Sequence, residues 1–187
     1  MSTATATGSA APAIPAGTFA LDPVHSTVGF EVKHMISTFR GSFADYDARL
    51  VNGHGRARLE GSAEVGSVDV RDETLAGHLK SADFFDAESN PRIEFSAERL
   101  DVAEDGALAL DGEITIRGVT RPIRATGRLE QVEADMGGSP RIGVELETTV
   151  DRRDFGIDWN AALPKGGFAL GNEVRLVARL ELVPEEA

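Results

Sequence analysis

The chain has 187 residues with 31 acidic and 19 basic side chains, a formal net charge of -12 and no cysteine. This length fits one domain that can bury a substantial core or enclose a cavity. The acidic balance argues against nucleic-acid binding, which relies on clustered Lys and Arg side chains to neutralise phosphates. The lack of cysteine excludes a disulfide framework, a thiolate metal site, a cysteine nucleophile and a lipid-anchored cysteine.

Residues 1–17 are rich in Ala, Thr, Ser, Gly and Pro and contain no Lys or Arg. Since a secretory signal needs a basic start and a continuous apolar stretch, we predict a disordered tail on a cytoplasmic protein, with a processed precursor as the alternative. The folded domain is expected over residues 18–187. No later apolar run approaches the roughly 20 residues that a membrane span requires, so no integral membrane segment is expected.

The first half of the domain alternates apolar with polar residues. Alternating segments cover residues 26–35, 41–50 and 56–65, and Asn52 with Gly53 is expected to form a hairpin turn between the last two. Because successive side chains on a strand point to opposite faces, each segment predicts a half-buried antiparallel strand with one wet face.

One helix is expected, over residues 72–81. Leu75 and Leu79 share a face at spacing i, i+4, and an acidic residue stands in the first turn. So short a helix is marginal alone and is expected to plug one end of the domain. Phe84 and Phe85 follow it, and we expect them to pack the helix against the strands. If this segment is extended, both cannot face the interior, so at most one should touch a ligand.

The second half continues the alternation from residue 92 to residue 182, interrupted between residues 151 and 172. That interruption is rich in Gly and predicts a long loop of the kind that forms lids or binding sites. Arg152 and Arg153, which stand at its start beside acidic residues, are expected to form surface ion pairs of small energetic value.

About eight such strands with one short helix predict an all-β protein, a closed antiparallel up-and-down β-barrel. Its interior carries many Gly and Ala side chains, which leave room for one small apolar ligand. The parity of the strands gives the predicted lining residues: Phe30, Val32, Leu59, Ala63, Phe95, Ile114, Ile116, Ala125, Leu146 and Leu176, with Phe155 and Ile157 at the mouth. His34 shares the parity of Phe30 and Val32, and is interpreted either as a ligand for a head group or as a structural histidine.

Four blocks of the sequence carry a family resemblance. They are Asp22-x-x-His25-Ser26-x-Val28-x-Phe30-x-Val32-x-His34 with Gly41-Ser42-Phe43, then His78-Leu79-Lys80-Ser81-Ala82-Asp83-Phe84-Phe85-Asp86, then Gly112-Glu113-Ile114-Thr115-Ile116-Arg117-Gly118-Val119-Thr120-Arg121-Pro122, then Arg153-Asp154-Phe155-Gly156. Together and in this order they resemble the YceI-like family of polyisoprenoid-binding proteins. The resemblance implies a lipocalin-like barrel that holds a long isoprenoid chain, such as a polyprenyl or quinone-type lipid, in an apolar lumen.

Asp22, His25 and Ser26 are the residue types of a catalytic triad. However, neighbours in an extended segment point apart and the sequence has no Gly-x-Ser-x-Gly elbow, so no catalytic residue is predicted. Asp22 and Ser26 are instead expected to organise the turn around them. The four histidines lack the paired spacing of metal ligands, so no metal site is predicted either.

We therefore predict a non-enzymatic protein without a cofactor that carries or stores a polyisoprenoid-like lipid. Its partner would be the long-chain isoprenoid lipid, and a homodimer is compatible with the sequence. One alternative is an enzyme acting on a lipid or small apolar substrate, with His25 and His34 at the barrel mouth. Another is a self-filled barrel that serves as an interaction module.

Overall fold

The computed structural model describes residues 13–185, which form mostly β-strands and one α-helix. The strands are β1 (Gly17–Leu21), β2 (Thr27–His34), β3 (Ser37–Phe43), β4 (Tyr46–Gly53), β5 (Arg56–Glu64), β6 (Val68–Asp69), β7 (Arg92–Ala97), β8 (Asp101–Val102), β9 (Ala107–Ile116), β10 (Val119–Val132), β11 (Arg141–Asp151) and β12 (Leu170–Pro184). The helix α1 spans Glu73–Lys80. Short 3₁₀ turns cover Val65–Ser67 and Arg152–Phe155.

Eight of these strands close into an antiparallel barrel in the order β1-β4-β5-β7-β9-β10-β11-β12, and β12 pairs back with β1. The predicted all-β barrel of about eight strands is confirmed. One detail departs from a simple up-and-down order, because the β2–β3 hairpin is inserted between β1 and β4. The first part of the long β12 pairs with β2, and its last residues pair with β1.

The period of two in the sequence separates the two faces of the barrel wall. Between β9 and β10, Leu110 pairs with Ala125, and both side chains are buried inside the barrel. The next pair along, Asp111 and Arg124, lies on the outside and forms an exposed ion pair. The predicted alternation of an apolar and a wet face is therefore confirmed for these strands.

The β4–β5 hairpin turns two residues later than the sequence pattern predicted. Gly53 pairs with Arg56, so the loop consists of His54 and Gly55, whose φ angles are +54° and +76°. Two positive φ angles are what a two-residue loop of type I′ requires, and glycine adopts them without strain. The prediction of a turn at Asn52 and Gly53 was wrong because both residues still belong to the paired strand.

The helix lies where the sequence predicted it. Asp72 is the N-cap, and its side chain accepts a hydrogen bond from the backbone N–H of Leu75 at 2.8 Å. Leu79 is buried, so the apolar face of the helix packs against the barrel. Ser81 ends the helix, and the following residues fold into turns rather than a strand.

The N-terminal tail predicted over residues 1–17 lies for the most part outside the described residues. Within the described part, Ile14 packs against the barrel, its carbonyl oxygen accepts a hydrogen bond from the Asn52 side chain at 2.6 Å, and β1 begins at Gly17. The extent of the tail stays a prediction. Among residues 13–185, no helix combines the length and the apolar character that crossing a membrane would take.

The interior contains two groups of buried side chains, one towards each end of the barrel. The closed-end core consists of Phe19, Ala48, Leu50, Ala57, Leu59, Ala97, Leu108, Leu110, Ala125, Leu129, Ile142, Val144, Leu146, Leu180 and Leu182. The mouth-end cluster consists of Phe30, Phe43, Ala63, Val68, Leu79, Phe84, Ile114, Ile116, Phe155 and Ile157. The first is mainly aliphatic, whereas the second contains four phenylalanines.

Candidate ligand-binding site

A cavity of about 460 Å³ extends from the closed-end core towards the mouth of the barrel. Its walls come from the strands, from α1 and from the irregular segment between β11 and β12. Most of the side chains that line it are aliphatic or aromatic. An apolar pocket of this size, open at one end and with few polar groups around it, is the usual form of a small-molecule binding site.

Every residue that the sequence predicted for the lining lies on the wall of this cavity. They are Phe30, Val32, His34, Leu59, Ala63, Phe95, Ile114, Ile116, Ala125, Leu146, Phe155, Ile157 and Leu176. The structure brings them together as the strand parity requires. Their contact with a bound molecule stays a prediction.

The floor of the cavity is the upper layer of the closed-end core. Five side chains belong to that core and also line the cavity: Ala48, Leu59, Ala125, Leu146 and Leu180. Leu59 is only 1% exposed, so the floor has no opening at this point. These five residues set the depth of the cavity.

An aromatic wall follows on one side of the cavity, above the floor. The ring of Phe85 lies 5.9 Å from that of Phe30 and 5.8 Å from that of Phe43, in edge-to-face geometry. Both Phe84 and Phe85 line the cavity, because the segment does not adopt the extended conformation in which only one of them would face the interior. Neighbouring side chains diverge only on an extended segment, whereas here Phe84 N–H donates to the Ser81 carbonyl in a turn.

A second aromatic group stands at the mouth and was not predicted from the sequence. The His78 ring packs edge-on against Phe84 and Trp159, with centroids 4.9 and 4.7 Å away. Its Nε2 atom lies 3.1 Å from a carboxylate oxygen of Asp83. The sequence pattern could have placed His78 on the inward face of the helix, because it shares a face with Leu75 at spacing i, i+3. Trp159 lies in an aperiodic segment that carries no such signal.

Arg152 is buried at the cavity wall, in contrast to the predicted surface ion pair. Its guanidinium donates to the carbonyl oxygens of Gly171 at 2.9 Å, Ile157 at 2.8 Å and Trp159 at 2.7 Å. Burial lowers its pKa. Arg152 therefore fixes the segment between β11 and β12 at the cavity, while Arg153 alone forms the expected ion pair with Asp151.

His34, the predicted head-group ligand, ends β2 at the mouth and is half-buried. Its backbone carbonyl accepts a hydrogen bond from the Ser37 hydroxyl at 3.2 Å, and it pairs with Leu170 across the β2–β12 ladder. The residue also lines the cavity, and its role as a ligand for a head group stays a prediction.

The family of the chain follows from comparison with known sequences. A family model described as the YceI-like domain matches residues 19–182. The chain belongs to the YceI-like family. A UPF0312 protein of Staphylococcus aureus strain N315 is similar to this YceI-like chain, with 32% identity over 168 residues that cover 87% of this chain and 95% of the relative.

Solved structures show the same fold as this YceI-like chain. The YCEI protein of Campylobacter jejuni superposes with a TM-score of 0.69 at 26% identity and covers 89% of this chain and 97% of its own. The Burkholderia cenocepacia protein BcnA gives a TM-score of 0.73 at 19% identity, over 86% and 98% of the two chains.

The signature Asp22-x-x-His25-Ser26 of this YceI-like barrel lies at the closed end, away from the mouth. Ser26 is buried, its hydroxyl donates to the Asp22 carbonyl at 2.7 Å, and it accepts from the Glu181 backbone N–H at 2.9 Å. The expectation that Asp22 and Ser26 organise this turn is confirmed. Since the serine hydroxyl is engaged with backbone groups, the geometry is not that of an activated nucleophile.

The same signature forms an ion-pair cluster. The side chains of Asp22 and His25 do meet, contrary to the expectation that they diverge, with Oδ2 and Nδ1 3.0 Å apart. This contact lowers the pKa of Asp22 and raises that of His25. Asp22, His25 and Glu181 bring three potential metal-ligating atoms together, and the Arg141 guanidinium already contacts both of these carboxylates.

Proposed function

We propose that this YceI-like barrel binds a polyisoprenoid-type lipid with the tail in the apolar cavity, and that it carries or stores this lipid without chemical conversion. The observation that supports the proposal is the cavity of about 460 Å³, which is lined almost entirely by apolar side chains and stops at the closed-end core. Such a lining favours a hydrocarbon chain over a polar metabolite, because polar groups buried there would find few hydrogen-bond partners.

The volume sets the length of chain that fits. A protein cavity of about 150 Å³ holds one benzene molecule, which corresponds to about 25 Å³ per carbon atom. On that scale the cavity of about 460 Å³ accommodates roughly 18 carbon atoms, or between three and four isoprene units. The remainder of a longer polyprenyl chain would extend through the mouth.

Burial of the tail provides the driving force. Each methylene taken from water contributes about 0.8 kcal/mol, so roughly 18 carbon atoms give a gross gain of about 14 kcal/mol. Loss of rotational freedom and ordering of the chain offset a large part of that gain. His34 and the His78 ring at the mouth are the groups that we expect near the polar end of the lipid.

One structural neighbour that shares this fold is described by the ligand that it binds. A domain from Saccharophagus degradans, described as a polyisoprenoid-binding domain, has a TM-score of 0.67 and covers 89% of this chain at 13% identity. At that identity the likeness shows the fold alone. The ligand class for this chain therefore rests on the family together with the apolar lining.

The test is mass spectrometry of an organic-solvent extract from the purified protein. We expect a stoichiometric prenyl lipid in the wild type and in Ala107→Trp, whose exposed position on β9 lies away from the cavity. The floor variant Ala125→Trp should lose the lipid, because the indole occupies the space of the tail. Ala63→Phe, on the cavity wall, provides a second filled variant if Ala125→Trp does not fold.

A folded Ala125→Trp or Ala63→Phe protein that retains the same lipid at the same stoichiometry would overturn the assignment of the lumen. Turnover of an added prenyl lipid by the wild type, lost in His34→Ala, would overturn the non-enzymatic part of the proposal.

A further inference from the structure

Two neighbouring tips of chain border the mouth of the cavity. One is the β2–β3 hairpin and the other is the segment that leads into β12, and we call residues 33–38 and 159–169 together the mouth rim. The Met35 backbone N–H donates to the Ala169 carbonyl at 2.8 Å and joins the two tips. Since Ala169 also lines the cavity, the mouth rim is continuous with the cavity wall.

The mouth rim exposes large apolar side chains. Ile36 is 96% exposed, Phe168 66%, Met35 50% and Trp159 37%. Of these four, only Trp159 lines the cavity. The other three are thus not needed to enclose a ligand, and their exposure calls for another explanation.

The β2–β3 turn is unusual in its residues as well as in its exposure. His34 pairs with Ser37, so Met35 and Ile36 form a two-residue loop in which Met35 has a φ of +48°. Positive φ is unfavourable for a bulky side chain, and Gly or Asn normally takes such positions. The β4–β5 and β9–β10 turns also have a non-glycine residue with positive φ at the first loop position, His54 and Arg117, but they place a glycine at the second position, where the β2–β3 turn has Ile36. The β2–β3 turn therefore differs from the other two in carrying two large apolar side chains that are exposed at its tip.

The charge of the mouth rim differs from that of the rest of the chain. Although the chain has 31 acidic residues, residues 32–44 and 159–172 contain none. Two of its three lysines, Lys33 and Lys165, lie in the mouth rim and are exposed, and the third, Lys80, ends α1 beside the cavity. The mouth rim itself therefore combines apolar tips with positive charge, and the Asp83 carboxylate lies on the α1 side of the mouth beside His78.

We propose that the mouth rim docks onto the surface of a lipid bilayer that contains anionic head groups, so that an apolar ligand passes between the bilayer and the cavity. Apolar side chains inserted at the head-group level and adjacent lysines are the two contributions that hold proteins on such surfaces. The transfer step rests on the proposed function, whereas the docking surface rests on the exposure and charge of the rim.

A direct route matters because the ligand is poorly soluble in water. Each methylene exposed to water lowers the population of the exposed state about fourfold, so release of a chain of roughly 18 carbons into water would be very slow. When the mouth contacts a bilayer, the chain can pass between the two without being released into water.

The opposite end of the barrel provides a matched control. Met136 is fully exposed there, but it lies in the β10–β11 connection together with Glu133 and Asp135. Asp135 bonds to Arg141, which also bonds to Asp22. An exposed apolar residue among carboxylates does not favour an anionic surface.

The experiment uses the full chain and Trp159, its only tryptophan, as an intrinsic probe. Vesicles of phosphatidylcholine with phosphatidylglycerol should shift the Trp159 emission to the blue and carry the protein upward in flotation. The double variant Ile36→Asp/Phe168→Asp should bind at least tenfold more weakly, and Lys33→Gln and Lys165→Gln about fivefold each. Met136→Asp should bind as the wild type does.

Failure of the wild type to bind these vesicles, or loss of binding in Met136→Asp with retention in the double variant, would overturn the docking proposal. A rim that serves a protein partner would give the first of these results. Lipid extraction from the same variants separates the two proposals. The double variant should retain its lipid, whereas vesicle binding by a wild type with an empty extract would support docking and contradict the carrier function.

Discussion

The two ends of this barrel are built from the same alternating strands, yet one is solid and the other is hollow. At the closed end, Leu50, Ile142 and Leu182 are completely buried among other aliphatic side chains. At the mouth end, phenylalanine rings pack against one another along the wall, with centroids 5.8–6.3 Å apart, and leave the centre open. The comparison shows that strand alternation fixes which side chains point inward, while their shapes decide whether the interior fills.

The ends also differ in how the wall is completed. At the closed end, β1 joins β4 to β12 and continues the ring of strands. At the mouth end, β3 pairs with β2 on one edge but with only the two residues of β6 on the other, and α1 and the segment between β11 and β12 supply further lining. Stability should therefore depend mainly on the closed end, and ligand recognition on the mouth end.

The sharpest test of this division is large-to-small substitution at the two ends. We expect Leu129→Ala in the closed-end core to lower the free energy of unfolding by 2–5 kcal/mol, since it opens a void in a packed region. Phe85→Ala should cost about 1–2 kcal/mol, because its half-buried ring already faces a cavity. Urea denaturation measures both. Equal losses would mean that the hollow end contributes as much as the solid one.

The packed and the hollow regions should also differ in how well the backbone tolerates a Cβ atom at a glycine. A Cβ atom on Gly127 would lie 1.8 Å from the Glu145 carbonyl oxygen, whereas one on Gly61, at the cavity wall, would lie 3.4 Å from the Asp47 carbonyl oxygen. Gly127→Ala should therefore destabilise the protein by about 3 kcal/mol, and Gly61→Ala by less than about 1 kcal/mol. Thermal unfolding of the two variants measures both losses of stability. A mild effect at Gly127 would show that β10 and β11 can separate at little cost.

The sequence predicted the faces of the strands and the residues around the cavity, but strand parity alone does not give the level at which the cavity ends. Leu59 and Leu129 both stand on the inward parity of their strands, yet Leu59 forms the cavity floor and Leu129 is enclosed in the solid core. Parity is a local property with a period of two, so it identifies inward side chains. The level at which they stop filling the interior depends on contacts between strands distant in sequence.

Aperiodic segments account for the remaining differences. Phe84 and Phe85 lie in a turn, and Trp159 and Arg152 in the connection between β11 and β12, where no period relates neighbouring side chains. Arg152 in particular looked like a surface residue because it stands among charged neighbours. Its burial follows from three backbone carbonyls that the folded connection presents to it.

Leu59 lies in the cavity floor, between the solid closed end and the hollow mouth end, so a smaller side chain there should lower stability and deepen the cavity. In Leu59→Ala, a prenyl chain one unit longer than the wild-type optimum should therefore bind up to roughly tenfold more tightly. Competition among prenyl alcohols of increasing length measures the shift. Leu129→Ala serves as the control, since it has similar chemistry but does not line the cavity. An unchanged optimum in Leu59→Ala would place the limit on length elsewhere.

The smallest expected effect is the acid response of the closed end. Contact with Arg141 and with the backbone N–H groups of Ser139 and Gly137 lowers the pKa of Asp135 from 3.8 to about 2, and contact with His25 and Arg141 lowers that of Asp22. Lowered carboxyl pKa values contribute stability that is fully present above about pH 4 and is lost as the pH falls towards 2. Arg141→Gln should reduce that loss, and chemical denaturation between pH 5 and pH 2 measures it. Ligand binding above about pH 4 should be the same in both proteins, because the cluster and the cavity mouth lie at opposite ends of the barrel. An acid response that is equally steep in Arg141→Gln would assign it to carboxylates outside this cluster.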